Sequence, residues 1–249
     1  MHAHSPGLAK RESALTLSRM VHFTLFGIPV YIRPSFWVVL AIFGGALSIS
    51  SVEDLIYPAL FVIAGFIAIL SHEMGHALVG RKLGGGQQTI VLELFGGLTS
   101  SHGMQLTRGG RALMILAGPM MTLLLGIISL WLTWNIVAPV MTSYNLNFWD
   151  LAISPFTAAL ISPKLYILSC LIMIGEWWTI LNLLPIYPLD GGQLIAQYIR
   201  SPRKVFMTGF ITAILIGLLS FQLFHGYFIP IFMALFAYSN YREYKNAPF

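Results

Sequence analysis

Three ionisable side chains lie within five residues of one another in the apolar stretch 55–83: His72, Glu73 and His76. Such a side chain costs roughly 2.5–3.5 kcal/mol at the centre of a bilayer on insertion scales, and those found there usually have a function. On an α-helix the three fall within an arc of about 100°. Two imidazoles one turn apart with a carboxylate beside them are the arrangement by which zinc peptidases hold their metal. The motif therefore predicts hydrolytic zinc chemistry.

A hydrolytic zinc ion usually takes three protein ligands and leaves the fourth position to water. His72 and His76 would supply two of the three, and Glu73 suits a general base. The candidates for the third ligand are Glu93, His102, Glu176, Asp190 and His225. His225 should lie a membrane width away from the motif. Asp190 fits best because it is expected at the depth of the motif, in a region broken by Pro185, Pro188, Gly191 and Gly192.

Composition places these residues in a membrane protein. The chain has 249 residues, of which 57% are hydrophobic and only 9% are charged, and its mean hydropathy is +0.77. Soluble domains carry about 25% charged residues. The single cysteine, Cys170, excludes an intrachain disulfide and a cysteine-based zinc site.

The predicted fold class is an all-α polytopic membrane protein with small membrane-associated strands. Residues 21–241 should form a single six-helix core, between a flexible cytoplasmic leader (1–20) and a cytoplasmic tail (242–249). The two strand regions, at about 22–33 and 88–105, are rich in β-forming residues and lack a run of spanning length. The six spans are expected at about 34–51, 56–82, 112–137, 165–184, 205–224 and 227–241. Between the third and fourth spans, 138–164 should be a loop with a short surface helix around Trp149.

The distribution of basic residues predicts the orientation of these spans. Six spans put both termini on one side, and 13 of the 14 lysines and arginines then fall on that side, with Lys164 alone opposite. Because cytoplasmic loops are enriched in basic residues, both termini should be cytoplasmic, in a multi-pass protein of the cell membrane. The net charge of +5 therefore reflects the orientation of the chain in the membrane, and no nucleic-acid partner is expected. The motif should lie roughly 7–8 Å of helix from the cytoplasmic edge.

These motifs together resemble the site-2 protease family of intramembrane zinc metalloproteases, peptidase family M50. The resemblance runs from Phe26 to about Arg200 and includes HExxH at 72–76 and the NxxPxxxLDG-type motif at 182–191. It implies that His72, His76 and Asp190 bind one zinc ion and that Glu73 activates water. It further implies that Asn182 contacts the substrate, and that the strand with Phe95, Gly96 and Gly97 pairs with an extended substrate.

Two departures from the family pattern stand out. The family often has an asparagine three residues after the Gly-Pro of the third span, and this chain has Thr122 after Gly118 and Pro119. Many relatives also carry a PDZ or CBS domain, for which this sequence has no room. We therefore expect a minimal catalytic core.

The expected function is cleavage of transmembrane segments near the cytoplasmic side of the bilayer. The partner implied by the resemblance is a single-span membrane protein, in some cases a membrane-tethered transcription regulator. Two other classes compete: a membrane transporter that binds its metal within the bundle, and a catalytically silent relative. The predicted ligands gather near one membrane face, which disfavours a transport path, and the intact Glu73 disfavours a silent protein.

Overall fold

The computed structural model describes residues 20–94, 96–144, 149, 152 and 154–248. Strands β1 (Val21–Leu25) and β2 (Ile28–Ile32) come first, followed by helix α1 (Pro34–Phe43), two 3-10 turns (Ala46–Ser48 and Glu53–Leu55) and helix α2 (Ile56–Gly84). Strands β3 (Gln87–Glu93) and β4 (Gly96–His102) come next. The remaining helices are α3 (Arg108–Tyr144), α4 (Pro155–Ala159), α5 (Pro163–Leu183), α6 (Asp190–Ala196), α7 (Pro202–Phe224) and α8 (Phe228–Asn246).

Four helical segments in the described part of the chain are long and apolar enough to cross a bilayer: Glu53–Gly84, Arg108–Ala138, Pro163–Leu183 and Pro202–Leu223. They correspond to the second to fifth predicted spans. The prediction of a mostly helical membrane protein is thus confirmed, whereas a count of six spans is not.

The first and last predicted spans differ from expectation. Helix α1 has ten residues and ends at Phe43, before Gly44 and Gly45, rather than near residue 51. Ten residues rise only about 15 Å, half of the hydrocarbon thickness. Helix α8 has 19 residues, but its last turns carry Arg242, Glu243 and Lys245.

The segment after the third span also differs. Helix α3 continues to Tyr144, so the loop predicted from residue 138 begins later. Most residues around Trp149, where a surface helix was predicted, lie outside the described part. Helix α5 begins as its sequence suggests, because Pro163 occupies the first turn and the Ser162 hydroxyl caps the Leu165 amide.

Both predicted strand regions form, and they join into one sheet of order β1-β2-β3-β4. The pairs β1–β2 and β3–β4 are antiparallel hairpins, whereas β2 and β3 pair in parallel, with Val30 opposite Ile90. Alternate residues of β2 and β3 are buried and pack on the half of α2 that carries the motif. Strand β4 lies at one edge of the sheet, and only one of its sides is paired within the sheet.

Candidate metal centre

The two histidines of α2 and the aspartate that begins α6 converge in the interior. His72, His76 and Asp190 are all less than 9% exposed. The Nε2 atom of His72 lies 3.1 Å from Nε2 of His76 and 3.0 Å from Oδ2 of Asp190, and the His76–Asp190 distance is 3.4 Å. Within the described residues, these three form the one group of His, Cys, Asp or Glu side chains spaced to hold a metal ion.

The spacing of the three ligand atoms fits zinc. In a tetrahedral site with bonds of about 2.0–2.1 Å, ligand atoms lie about 3.3 Å apart. The three distances observed between the ligand atoms, 3.0, 3.1 and 3.4 Å, lie close to that value. Two imidazoles and one carboxylate are also ligands that zinc prefers. Helix α3 provides the space: a Cβ atom at Gly118 would overlap Nε2 of His76 and lie 2.9 Å from Nε2 of His72. The residues present therefore fit a zinc ion.

A backbone contact orients one of the histidines. Nδ1 of His76 lies 2.8 Å from the carbonyl oxygen of Met114 on α3. A carbonyl accepts only, so Nδ1 carries the proton and Nε2 keeps its lone pair for a metal. For His72, Nδ1 is buried and has no hydrogen-bond partner among the described residues.

The loop between α5 and α6 determines where Asp190 lies. Proline at position 185 cannot continue α5, and the chain turns back so tightly that Cβ atoms at Gly191 and Gly192 would overlap the loop backbone. Burial alone would raise the pKa of the Asp190 carboxyl. The two imidazoles beside the carboxyl group outweigh that effect and lower the pKa of Asp190, which favours the carboxylate anion that a metal ligand requires.

Glu73 lies against the edge strand β4. The Thr99 hydroxyl donates to Oε2 of Glu73 over 2.7 Å and also lies 3.2 Å from the Glu73 backbone carbonyl. A Cβ atom at Gly97 would overlap the Glu73 side chain, lying 2.7 Å from Oε1. The second glycine of the FGG sequence is therefore what allows β4 to approach this carboxylate.

A pocket of about 510 Å³ encloses this arrangement and also contains the residues predicted to contact substrate. Asn182, Gly96 and Gly97 line it together with the two histidines, Glu73 and Asp190. The Asn182 amide donates to the carbonyl of Trp178, one turn earlier on α5, over 2.9 Å. Residue Phe95 lies outside the described part of the chain.

The other candidates for a third metal ligand are not brought into the group. Glu93 lines the pocket but forms an ion pair with Arg33 over 2.8 Å. His102 lies opposite Gln87, at the other end of the β3–β4 hairpin. Glu176 is exposed on α5, and His225 follows the end of α7.

Thr122, the departure from the family pattern, joins two helices. Its hydroxyl lies 3.0 Å from the Pro119 carbonyl on α3 and 2.8 Å from the Thr179 hydroxyl on α5. Both threonines are buried. The position thus makes a polar contact between α3 and α5.

Sequence reasoning missed two groups of the site. Thr99 could have been found, since it shares a strand face with Gly97, two residues earlier. The Met114 carbonyl could not, because a backbone oxygen has no sequence signal and its role depends on how α3 packs against α2.

Apolar helices surround two histidines, an aspartate and a glutamate, which are arranged as in a zinc peptidase. These features place the protein in the class of membrane metalloproteins. The chain belongs to peptidase family M50, whose family model matches residues 60–224, more than half of the chain. It is 28% identical over 227 residues to the zinc metalloprotease MJ0392 of Methanocaldococcus jannaschii, an alignment that covers 87% of this chain and 57% of that protein. The chain spans about half the length of the curated relatives it matches.

The fold is also similar to a solved structure, a site-2 protease from Methanocaldococcus jannaschii. The superposition has a TM-score of 0.57 at 24% sequence identity and covers 90% of this chain and 95% of the solved one. At this identity the likeness establishes the arrangement of the helices and strands.

Proposed function

We propose that this chain is an intramembrane zinc endopeptidase that cleaves transmembrane segments near the cytoplasmic side of the bilayer. The observation that carries the proposal is the triangle of His72, His76 and Asp190 ligand atoms, 3.0–3.4 Å apart, next to Glu73 in one buried pocket. Membership of a peptidase family and the similarity to named zinc metalloproteases support it.

The reaction assigns a separate role to each group. The two histidines and Asp190 would hold zinc, whose Lewis acidity would promote the attack of water on a peptide carbonyl. Glu73 accepts the proton of the attacking water and then passes it to the nitrogen of the leaving amine. Thr99 fixes one oxygen of that carboxylate through its 2.7 Å hydrogen bond. Burial of these groups away from bulk water strengthens each of these electrostatic interactions.

The substrate would bind as an added strand on β4. A transmembrane helix keeps its carbonyls in internal hydrogen bonds, so the segment must become extended before it can be cleaved. The outer side of β4 offers backbone groups to such a segment, and the strand runs past Glu73 at Gly97 and Thr99. Asn182, on the pocket wall, would contact the substrate as well.

A second cavity supports a membrane-embedded substrate. It has a volume of about 850 Å³, its lining is almost wholly apolar, and it shares Gly96, Trp178 and Phe232 with the catalytic pocket. We propose a single-span membrane protein as the substrate, in some cases a membrane-tethered transcription regulator. The six crossings remain part of the proposal and rest on the apolar runs of the sequence, whereas the cytoplasmic placement of both termini rests on the distribution of basic residues.

The test uses purified protein and a single-span substrate in liposomes. We expect about one zinc per chain by mass spectrometry. In E73Q, zinc should be retained and cleavage should fall by about 10²–10⁴-fold, because the variant lacks the general base. Normal cleavage by E73Q would refute the assignment. Zinc flux into liposomes that requires His72 would instead identify a transporter.

A further inference from the structure

A buried amide on α8 remains unexplained by the proposed reaction. Asn240 is 1% exposed and does not line the catalytic pocket. Its Nδ2 donates to the Tyr187 carbonyl over 2.7 Å and to the Phe236 carbonyl, one turn earlier, over 2.9 Å. Its Oδ1 is buried and has no hydrogen-bond partner among the described residues. Burying a polar atom without a hydrogen-bond partner costs free energy. A buried asparagine at this position therefore calls for a role that the hydrogen bonds of Nδ2 can supply.

The Tyr187 carbonyl belongs to the loop that presents Asp190. This loop, 184–189, follows the end of α5. Within it, the Ile186 amide donates to the Leu184 carbonyl over 2.7 Å, and the Leu189 amide donates to the Ile186 carbonyl over 2.8 Å. The Gln193 amide of α6 donates to the Pro188 carbonyl over 2.9 Å. The loop is therefore held from two sides, by α6 after Asp190 and by Asn240 from α8.

Helix α7 leaves room for the contact. A Cβ atom at Gly209 would overlap Oδ1 of Asn240 and lie 3.3 Å from the Tyr187 backbone nitrogen. The helix, the amide and the loop thus meet at one point, where only a glycine fits without movement. A residue with a side chain at 209 would have to displace Asn240 or the loop.

Apolar packing fixes the same loop against the same helices. Ile186 is completely buried and packs with Ala213 of α7 and with Met233 and Ala237 of α8. The ring of Tyr187 packs edge-on against Phe206, with ring centroids 5.5 Å apart. The hydrogen bond from Asn240 therefore selects the orientation of a loop that is already attached to the helix pair.

We propose that Asn240 is a positioning residue for the metal centre: by holding the Tyr187 carbonyl it orients the loop 184–189 so that Asp190 reaches the two histidines. The proposal rests on the proposed function, since it takes Asp190 as a zinc ligand. It makes the affinity for zinc depend on a side chain of the last helix that does not line the catalytic pocket. Groups that orient metal ligands from outside typically contribute 10–100-fold to metal affinity.

The test compares zinc affinity in N240L, N240D and a control, S220A. Leucine and aspartate have the same number of side-chain heavy atoms as asparagine, and neither carries the amide donor. Ser220 is a buried polar residue of α7 whose hydroxyl donates within its own helix, to the Gly217 carbonyl over 2.9 Å. Zinc dissociation constants are measured by competition with a fluorescent chelator, and thermal unfolding is measured on the zinc-free proteins.

We expect zinc binding about tenfold weaker in N240L and N240D and a wild-type affinity in S220A, each measured below the unfolding midpoint of the zinc-free protein. Wild-type zinc affinity in both Asn240 variants would overturn the proposal. A lowered zinc-free unfolding midpoint with unchanged affinity, or failure of both variants to fold, would also overturn it, because Asn240 would then be purely structural. If the wild-type protein binds no zinc, it is the proposed function that fails.

Discussion

The helices that carry the motif and the last helix pair are built in different ways. Around His72 and Glu73, backbone and side chains approach so closely that glycine is required at Gly97 and Gly118. Helices α7 and α8 pack extensively on each other, whereas α7 meets the rest of the molecule largely at α6 and at the loop 184–189. Between the two regions lies the apolar cavity of about 850 Å³.

This difference indicates that the two regions serve the site in different ways. Under the proposed function the α2–α3–β4 region needs fixed geometry, because displacing a general base or a metal ligand by an ångström lowers activity. The α7–α8 pair borders the apolar cavity and is joined to the metal centre through Asp190 and its loop. Equal substitutions around the metal centre and in the part of the helix pair away from the Asp190 loop should therefore have unequal effects, and glycine to alanine is the smallest substitution available in both.

The largest effect is expected at Gly118. In G118A the added methyl group would occupy the space next to both Nε2 atoms, so zinc binding should weaken by at least about 100-fold and cleavage should be lost. Zinc content after dialysis, measured by mass spectrometry, checks this. A fully zinc-loaded G118A protein would show that the tight packing around the ligands is not required.

A smaller effect, confined to catalysis, is expected at Gly97. In G97A the methyl group would push Glu73 away from β4, so kcat should fall by about 100-fold while zinc stays bound. Parallel measurement of kcat and zinc content separates this outcome from that of G118A. Loss of zinc in G97A would contradict the assignment of Gly97 to the general base rather than to the metal.

The smallest effect is expected at Gly217 in the helix pair. A Cβ atom there would lie 3.2 Å from the Met233 Cβ, a contact that a small shift between α7 and α8 relieves. Cleavage and zinc affinity in G217A should stay within about twofold of wild type. A loss as large as that in G97A would show that the pair is as tightly constrained as the α2–α3–β4 region.

The sequence predicted which residues converge in the site better than it predicted the outline of the fold. His72, Glu73 and His76 are close in the chain, and helical periodicity alone puts them on one face. Asp190 was recognisable because prolines and glycines break the helix next to it. Helix bounds were less predictable: the hydropathy of residues 44–51 suggests a continuing helix, but the chain turns at Gly45, where φ is +88°.

The sequence by itself determined which residues could hold zinc and act as the base, since ionisable groups in an apolar chain are few and costly. Only the tertiary structure decided which groups hold those side chains in place. The Met114 carbonyl behind His76, the Thr99 hydroxyl on Glu73 and the Asn240 amide on the Asp190 loop come from elements distant in sequence. Such contacts depend on how helices and strands pack, and no local periodicity encodes that packing.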